Sequence, residues 1–307
     1  MRRGAGMHQE DGEGRRQDDY LGVHRVLLCG AVSFAVSSWS GGAGATYSIA
    51  AVDSLARTMG AAGTSCLGGE DVAVIHKSAP GVGVVLGQAQ YNANTHQRAL
   101  ELLAGGMTPE AVIADVTSPE VDVLASVRQY AIVDASGRVA AFTGSGTGEW
   151  SGDEQGQVSG RFFSVQGNML TGEDVVRNAA TSFQKASCDL AEQLLTALEA
   201  GARNGQGDQR CTPALPSDSA FLSVESLDTR ERIVDLRVPS SGSENPLLSL
   251  RTQLEEYRAA HPCATSPGTH DSERGGCSLG GRCTHSGWLL AVVALVATLR
   301  RPWRSTT

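Results

Sequence analysis

The small residues Ala43-Gly44-Ala45 stand directly before Thr46-Tyr47-Ser48-Ile49-Ala50-Ala51-Val52-Asp53, and this junction fixes where a folded domain can begin. Ala-x-Ala is the small-residue pattern at which a secretory leader is cut. The eight residues after it read as a strand headed by Thr46. A threonine with a free α-amino group is a known kind of nucleophile, because the amine can serve as its base. The reading taken is that removal of the leader exposes Thr46. Cutting after Ala43 would instead leave Gly44 in front and abolish the nucleophile.

The rest of the leader supports the cut. Val26–Val36 is an apolar run of eleven residues preceded by His24-Arg25, too short for a stable membrane span. Residues 1–45 are therefore read as an N-terminal extension and signal peptide, although Met1–Leu21 is long and acidic for such a segment. A second short apolar run, Trp288–Leu299, lies near the other end and is followed by Arg300, Arg301 and Arg304. By itself it reads as a weak anchor with its positive charges kept inside. With Gly276-Cys277 before it, the tail resembles the MYXO-CTERM sorting signals of myxobacterial surface proteins. That resemblance implies a C-terminal sorting protease as partner, Cys277 as the anchoring residue over 277–307, and a cell-surface or outer-membrane address. Residues 262–276, rich in Pro, Ser, Thr and Gly, read as a flexible stalk.

Composition excludes some functions. A net charge of −8 offers no basic surface for phosphates, so no nucleic-acid partner is expected. No cysteine pair has C-x-x-C spacing, and no two histidines approach a zinc pattern, so neither metal nor cofactor is expected. In an exported chain the cysteines read as disulfides. Cys188 and Cys211 flank a helix and a Gly-rich loop, and joining them would contribute about 3 kcal/mol. Cys66–Cys263 is the leftover pair; Cys66 as a thiol nucleophile is the competing reading.

Between leader and stalk, 46–261 reads as one layered α+β domain. Strands are expected at 46–53, 58–66, 72–76, 82–90, 130–134, 139–143, 161–166, 220–225 and 233–238. The strand at 58–66 is made of small residues, thin enough for something to pack close above it. Helices are expected at 95–104, from Thr108-Pro109-Glu110, at 171–186, 189–200 and 246–260. Residues 144–160 read as a glycine-rich loop, and Asn204–Asp208, with its faint calcium-loop look, as a plain loop.

Several of these segments carry a resemblance. TYSIAAVD at 46–53, GQAQYN at 87–92, YAIVDASGRVAAFTG at 130–144 and VQGNMLTG at 165–172 are similar to the domain-of-unknown-function family numbered ten twenty-eight. LLTALEAG at 194–201 and DLRV at 235–238 add to it. The resemblance implies a four-layer αββα sandwich of Ntn-hydrolase type. Members often carry Trp-Ala-Gly-His before the VQGN strand; here Glu149-Trp150-Ser151-Gly152-Asp153 lacks the histidine.

An attacked amide needs donors for its developing negative charge, one being worth about 2.7–4 kcal/mol of barrier. Gln88, Asn92, Gln166 and Asn168 are the amides at strand ends. Asn92 and Asn168 could equally cap turns, and the glutamines satisfy backbone. Asp53 is a candidate to orient the α-amine, with a turn-forming role as the competing reading. His76, His96 and His261 read as packing or surface residues. The expected function is an exported amidohydrolase acting through Thr46 on a small-molecule or peptide-like amide. The alternative is a non-catalytic surface module that binds a small ligand or cell-wall fragment.

Overall fold

The computed structural model describes residues 45–240 and 244–263. The leader apart from Ala45, nearly all of the stalk, and the tail with Cys277 lie outside the described residues. Among the described residues, ten strands form two antiparallel sheets, with five α-helices packed against them.

Strands β1 (Thr46–Asp53) and β2 (Thr58–Ser65) form a hairpin at the centre of the larger sheet. β7 (Gly152–Val158) and β8 (Arg161–Asn168) extend it on one side, β9 (Ser219–Ser226) and β10 (Arg232–Val238) on the other. The order is β10-β9-β2-β1-β8-β7. The smaller sheet runs β3-β4-β5-β6, from β3 (His76–Ala79), β4 (Gly83–Ala89), β5 (Arg128–Asp134) and β6 (Val139–Thr143). Helices α1 (Ala93–Ala104) and α2 (Pro109–Val116) cover the small sheet. Helices α3 (Asp174–Lys185), α4 (Leu190–Gly201) and α5 (Pro246–Ala260) cover the large one.

Period-two alternation decides what each strand offers to each side. In β1, Tyr47, Ile49 and Ala51 pack with Leu194 and Leu198 of α4, whereas Ala50 and Val52 turn towards Val84, Leu86 and Val133 of the small sheet. The small-residue strand behaves as its composition predicts. A Cβ on Gly60 would stand 2.4 Å from the Ser223 carbonyl oxygen and 3.2 Å from Leu194 Cδ1, so β2 is thin where α4 rests on it.

Two elements differ from the sequence reading. Residues 72–75 are a 3-10 turn, because the Asp71 side chain accepts a hydrogen bond from Ala73 N and curls the chain before β3 begins. The expected glycine-rich loop contains β7, an edge strand with polar residues on both faces, which alternation cannot flag.

The disulfides also differ. Cys66 is bonded to Cys211, and Cys188 to Cys263, in place of Cys188–Cys211 and the leftover Cys66–Cys263. The reason is the direction of α4. Its twelve residues rise about 18 Å from Cys188 to the far end, and the chain then runs on to the end of β2 rather than back. Helix α5 lies antiparallel to α4, with Arg251 bonded to Glu192 and Glu199 and Arg258 bonded to Asp189, which delivers Cys263 to Cys188.

Candidate functional site

The inner faces of the two sheets are apolar at one end and polar at the other. Continuing the inward positions of β1 past Val52 and Ala50 gives Ser48 and then Thr46; those of β8 give Ser164, Gln166 and Asn168. The matching positions are Gln88 on β4, Gln129 on β5 and Ser65 on β2, and all eight side chains are at least nine-tenths buried. Thr46 is paired on both sides, with Ser65 and with Asn168, so the first residue of β1 is fixed at the centre of this polar end.

Gln88 and Gln129 bind the sheets together. Gln88 Nε2 donates to Thr46 O (3.2 Å) and Gln129 Oε1 (2.8 Å), and its Oε1 accepts from Ser48 Oγ (2.5 Å). Gln129 Oε1 also accepts from Asn168 Nδ2 (3.2 Å), while its Nε2 faces Gly167 O (2.9 Å), Gly152 O (3.2 Å) and Thr143 Oγ1 (2.9 Å). Each lost partner in such a network leaves a buried group costing about 1–3 kcal/mol. Gln166 is fully buried, yet neither atom of its carboxamide is bonded to another described residue; Asn168 Oδ1 and Ser164 Oγ share that state.

On the other flank of Thr46 a hydroxyl chain leads to the preceding residue. Ser65 Oγ donates to the Ala45 carbonyl (2.6 Å) and lies 2.9 Å from Thr46 Oγ1. A serine hydroxyl carries one hydrogen, so with that hydrogen on Ala45 the Thr46 hydroxyl is the donor to Ser65. Arg210 Nη2 also donates to Ala45 O (3.0 Å) and is held by Asp208 Oδ2 (2.7 Å). The Asp208 carboxylate is fully buried and further accepts from Cys66 N (2.6 Å) and Arg210 N (2.9 Å). Burial pushes its carboxyl above the ordinary carboxylate value, and the Arg210 hydrogen bond pulls the other way. The Cys66–Cys211 bond fastens this loop beside Ser65.

Of the residues expected from the sequence, Thr46, Gln88, Gln166 and Asn168 are brought together. Asn92 is not: its side chain caps α1, accepting from Asn94 N (3.0 Å) and Thr95 N (3.3 Å). Asp53 is at the opposite end of β1, about 23 Å away by strand rise, too far to orient an α-amine on Thr46. Its carboxylate instead accepts from Leu55 N, Ala56 N and Arg161 Nε, as the turn reading held. Cys66, in its disulfide, is no thiol nucleophile. The cysteine sulfurs and Asp218 lie within ligand distance of one another, but the S–S bond removes two of the three donors from metal chemistry.

Gln129, Ser48, Ser65, Asp208 and Arg210 were not expected. Gln129 shares its inner face with Ala131 and Val133, so an amide in line with two buried apolar positions was its sequence signal. The strand carrying Gln88 ends in, and the strand carrying Asn168 is followed by, a non-glycine residue at positive φ, Ala89 (68°) and Met169 (51°), conformations that cost energy and cluster at functional sites. A cavity of about 770 Å³ lies nearby, lined by Glu149, Trp150, Ser151, Leu170, Thr171 and Gln209 among others. Thr46 does not line it; the cavity meets the site through the loop that carries both Gln209 and Arg210. Asp153 is exposed on β7 opposite Gln166 in register.

The arrangement defines a mixed α+β protein with two antiparallel sheets and a polar cluster at one end of the space between them. The family of unknown function DUF1028 matches residues 46–250, and the chain belongs to it. The match begins at Thr46, the residue at which β1 begins. The chain is similar to protein SPO2555 from Silicibacter pomeroyi, whose crystal structure is titled as DUF1028. The identity is 25% and the TM-score 0.58, over 70% of this chain and 89% of that one. No curated protein matches.

Proposed function

We propose that this protein is an exported, surface-tethered hydrolase of the Ntn type, in which removal of residues 1–45 frees the α-amine of Thr46 to take the proton of its own hydroxyl as that oxygen attacks an amide. The observation that carries this reading is the position of Thr46. It heads a central strand, its hydroxyl is hydrogen-bonded to buried Ser65, and the amides Gln88, Gln129, Gln166 and Asn168 surround its end of the sheets. Helices on the outer faces of two facing sheets are the layering that an αββα sandwich requires, and they support the Ntn reading of the fold. An α-amine with an ordinary pKa of about 7.7–8.0 is well matched to accept the hydroxyl proton near neutral pH. Signal peptide, sorting protease and Cys277 anchor belong to the same proposal and rest on the sequence of the two ends.

The test is a panel of N-acyl amino acid amides and short peptides assayed with protein beginning at Thr46. Thr46→Ser should keep activity, and Thr46→Ala should lower it by on the order of 10³-fold or more. Equal activity in Thr46→Ala would dismiss this nucleophile. Asp153 in place of a histidine favours the second reading, a binding module without catalysis. That reading predicts no turnover by either protein together with saturable binding of peptidoglycan fragments by both.

A further inference from the structure

We infer that the seat now filled by Ala45 is a subsite for a small acyl group or its carboxylic acid, with Ser65 and Arg210 as the donors to its oxygen. The inference rests on the proposed cut before Thr46 and names what the resulting site would take.

Ala45 precedes the strand ladder, which starts at Thr46, so its carbonyl has no place in the β1 register. It is nonetheless bound by two side-chain donors, Ser65 Oγ at 2.6 Å and Arg210 Nη2 at 3.0 Å. Both are held in place. Ser65 is fully buried, and its oxygen is engaged by Thr46 Oγ1. Arg210 grips Asp208 through Nε (3.1 Å) and Nη2 (2.7 Å), and the next residue is disulfide-bonded to Cys66. Once the Ala45–Thr46 bond is cut and the leader leaves, both donors lose the Ala45 oxygen, while Arg210 Nη2 keeps Asp208 Oδ2 and the longer bond to Ser65 Oγ (3.4 Å). A buried hydroxyl and an oriented guanidinium are then aimed at one point beside the Thr46 hydroxyl, and an unmade buried hydrogen bond is costly.

An incoming oxygen would restore the two bonds. Because the Asp208 carboxylate already offsets the Arg210 charge, a neutral carbonyl is accepted as well as a carboxylate. The seat is also small. Ala45 is 0% exposed in the intact chain, so the group the seat holds there is of alanine size. The ligand class is therefore an acyl group of alanine size, held through its carbonyl oxygen next to the proposed nucleophile.

The test uses the chain with a cleavable fusion in place of residues 1–45, cut directly before Thr46 after folding, and titrated with N-acetyl-L-alanine. Saturable binding is expected in the cut protein, with N-acetyl-L-leucine weaker by roughly tenfold or more. Arg210→Gln and Ser65→Ala should each weaken N-acetyl-L-alanine by about tenfold or more. The uncut full-length chain, with Ala45 in its seat, should not bind. Near-UV circular dichroism of each protein separates loss of donors from loss of fold, and Arg210→Lys, which keeps the charge, should retain part of the affinity. Absence of saturable binding in a folded cut protein, or equal affinity in the Arg210→Gln protein, overturns the inference. Thr46→Val separates it from the proposed reaction: binding should persist there while any hydrolysis is lost.

Discussion

Gln129 joins more of the site than any residue visible as a candidate in the sequence, and its removal should show it. Gln129→Ala takes from Asn168 Nδ2 and the Gly167 carbonyl the side-chain bonds they make to Gln129, and leaves Gln88 Nε2 with the Thr46 carbonyl alone. The expected loss is about 2–4 kcal/mol of unfolding free energy in urea, against about 1 kcal/mol for the helix cap removed by Asn92→Ala. Comparable losses in the two proteins would mean the network does not hold the sheets together. His96 makes a pH prediction. It is fully buried, its Nε2 faces the Val85 carbonyl, and burial pushes its pKa down to about 4 despite that backbone bond. A lowered histidine value means the unfolded chain takes up the proton first, so stability is intact above about pH 6.5 and falls as pH drops towards 4. Between pH 7 and pH 5 the loss from this residue is about 2 kcal/mol. In His96→Gln the decline in melting temperature over that interval should shrink; an unchanged decline would place the proton elsewhere. At this scale the sequence was legible where chemistry and position coincided. Thr46 abuts a small-residue cleavage pattern, and Gln88, Gln166 and Asn168 are amides at strand ends. Gln129 was hidden because the apolar run begins after it, and Arg210 because nothing in its neighbourhood shows that a disulfide folds its loop back to Ser65.

Among the elements, helices and hairpins followed local rules closely. Thr108 caps α2 ahead of Pro109, and α5 spans Pro246–Ala260 as its leucine spacing predicts. Strand β7 escaped because its half-buried face is built from glycine and glutamate up to Val158, so no apolar alternation is there to read, and the 72–75 segment because an Asp71 side-chain bond outweighs the β-branched composition. Spacing misled most over the cysteines, since it cannot tell which way a helix carries the chain. Non-reduced peptide mapping should recover Cys66–Cys211 and Cys188–Cys263; a Cys188–Cys211 peptide would contradict the packing of α5 on α4. Their long separations of 145 and 75 residues give each bond a chain-entropy worth of about 4–5 kcal/mol, so full reduction should lower the melting temperature markedly. The thin β2 strand makes a sharper test. Gly60→Ala puts a methyl group 2.4 Å from the Ser223 backbone oxygen of β9, so β2 and β9 have to move apart, and 3.2 Å from Leu194 Cδ1 of α4, which has to give slightly. Stability should fall by about 2 kcal/mol or more on denaturant titration; a neutral substitution would show that β2 and β9 are less closely set.

For the molecule as a whole, the fold places a hydroxyl residue at the head of a central strand and surrounds it with buried amides, a buried serine and a clamped arginine. While Ala45 remains attached, the nitrogen of Thr46 belongs to a peptide bond and offers no base. The proposed chemistry therefore depends on one covalent event. The α+β class was legible from patterning, since strands come in groups and helices in pairs over 46–261. The facing of two sheets with polar ends together was not, because it depends on pairings between distant strands such as β1 with β8. The account is tested most directly by sequencing the amino terminus of the protein recovered from its native cells, where the proposed export removes residues 1–45. It predicts a chain beginning Thr-Tyr-Ser-Ile. A chain beginning at Gly44, or at any residue other than Thr46, would contradict it.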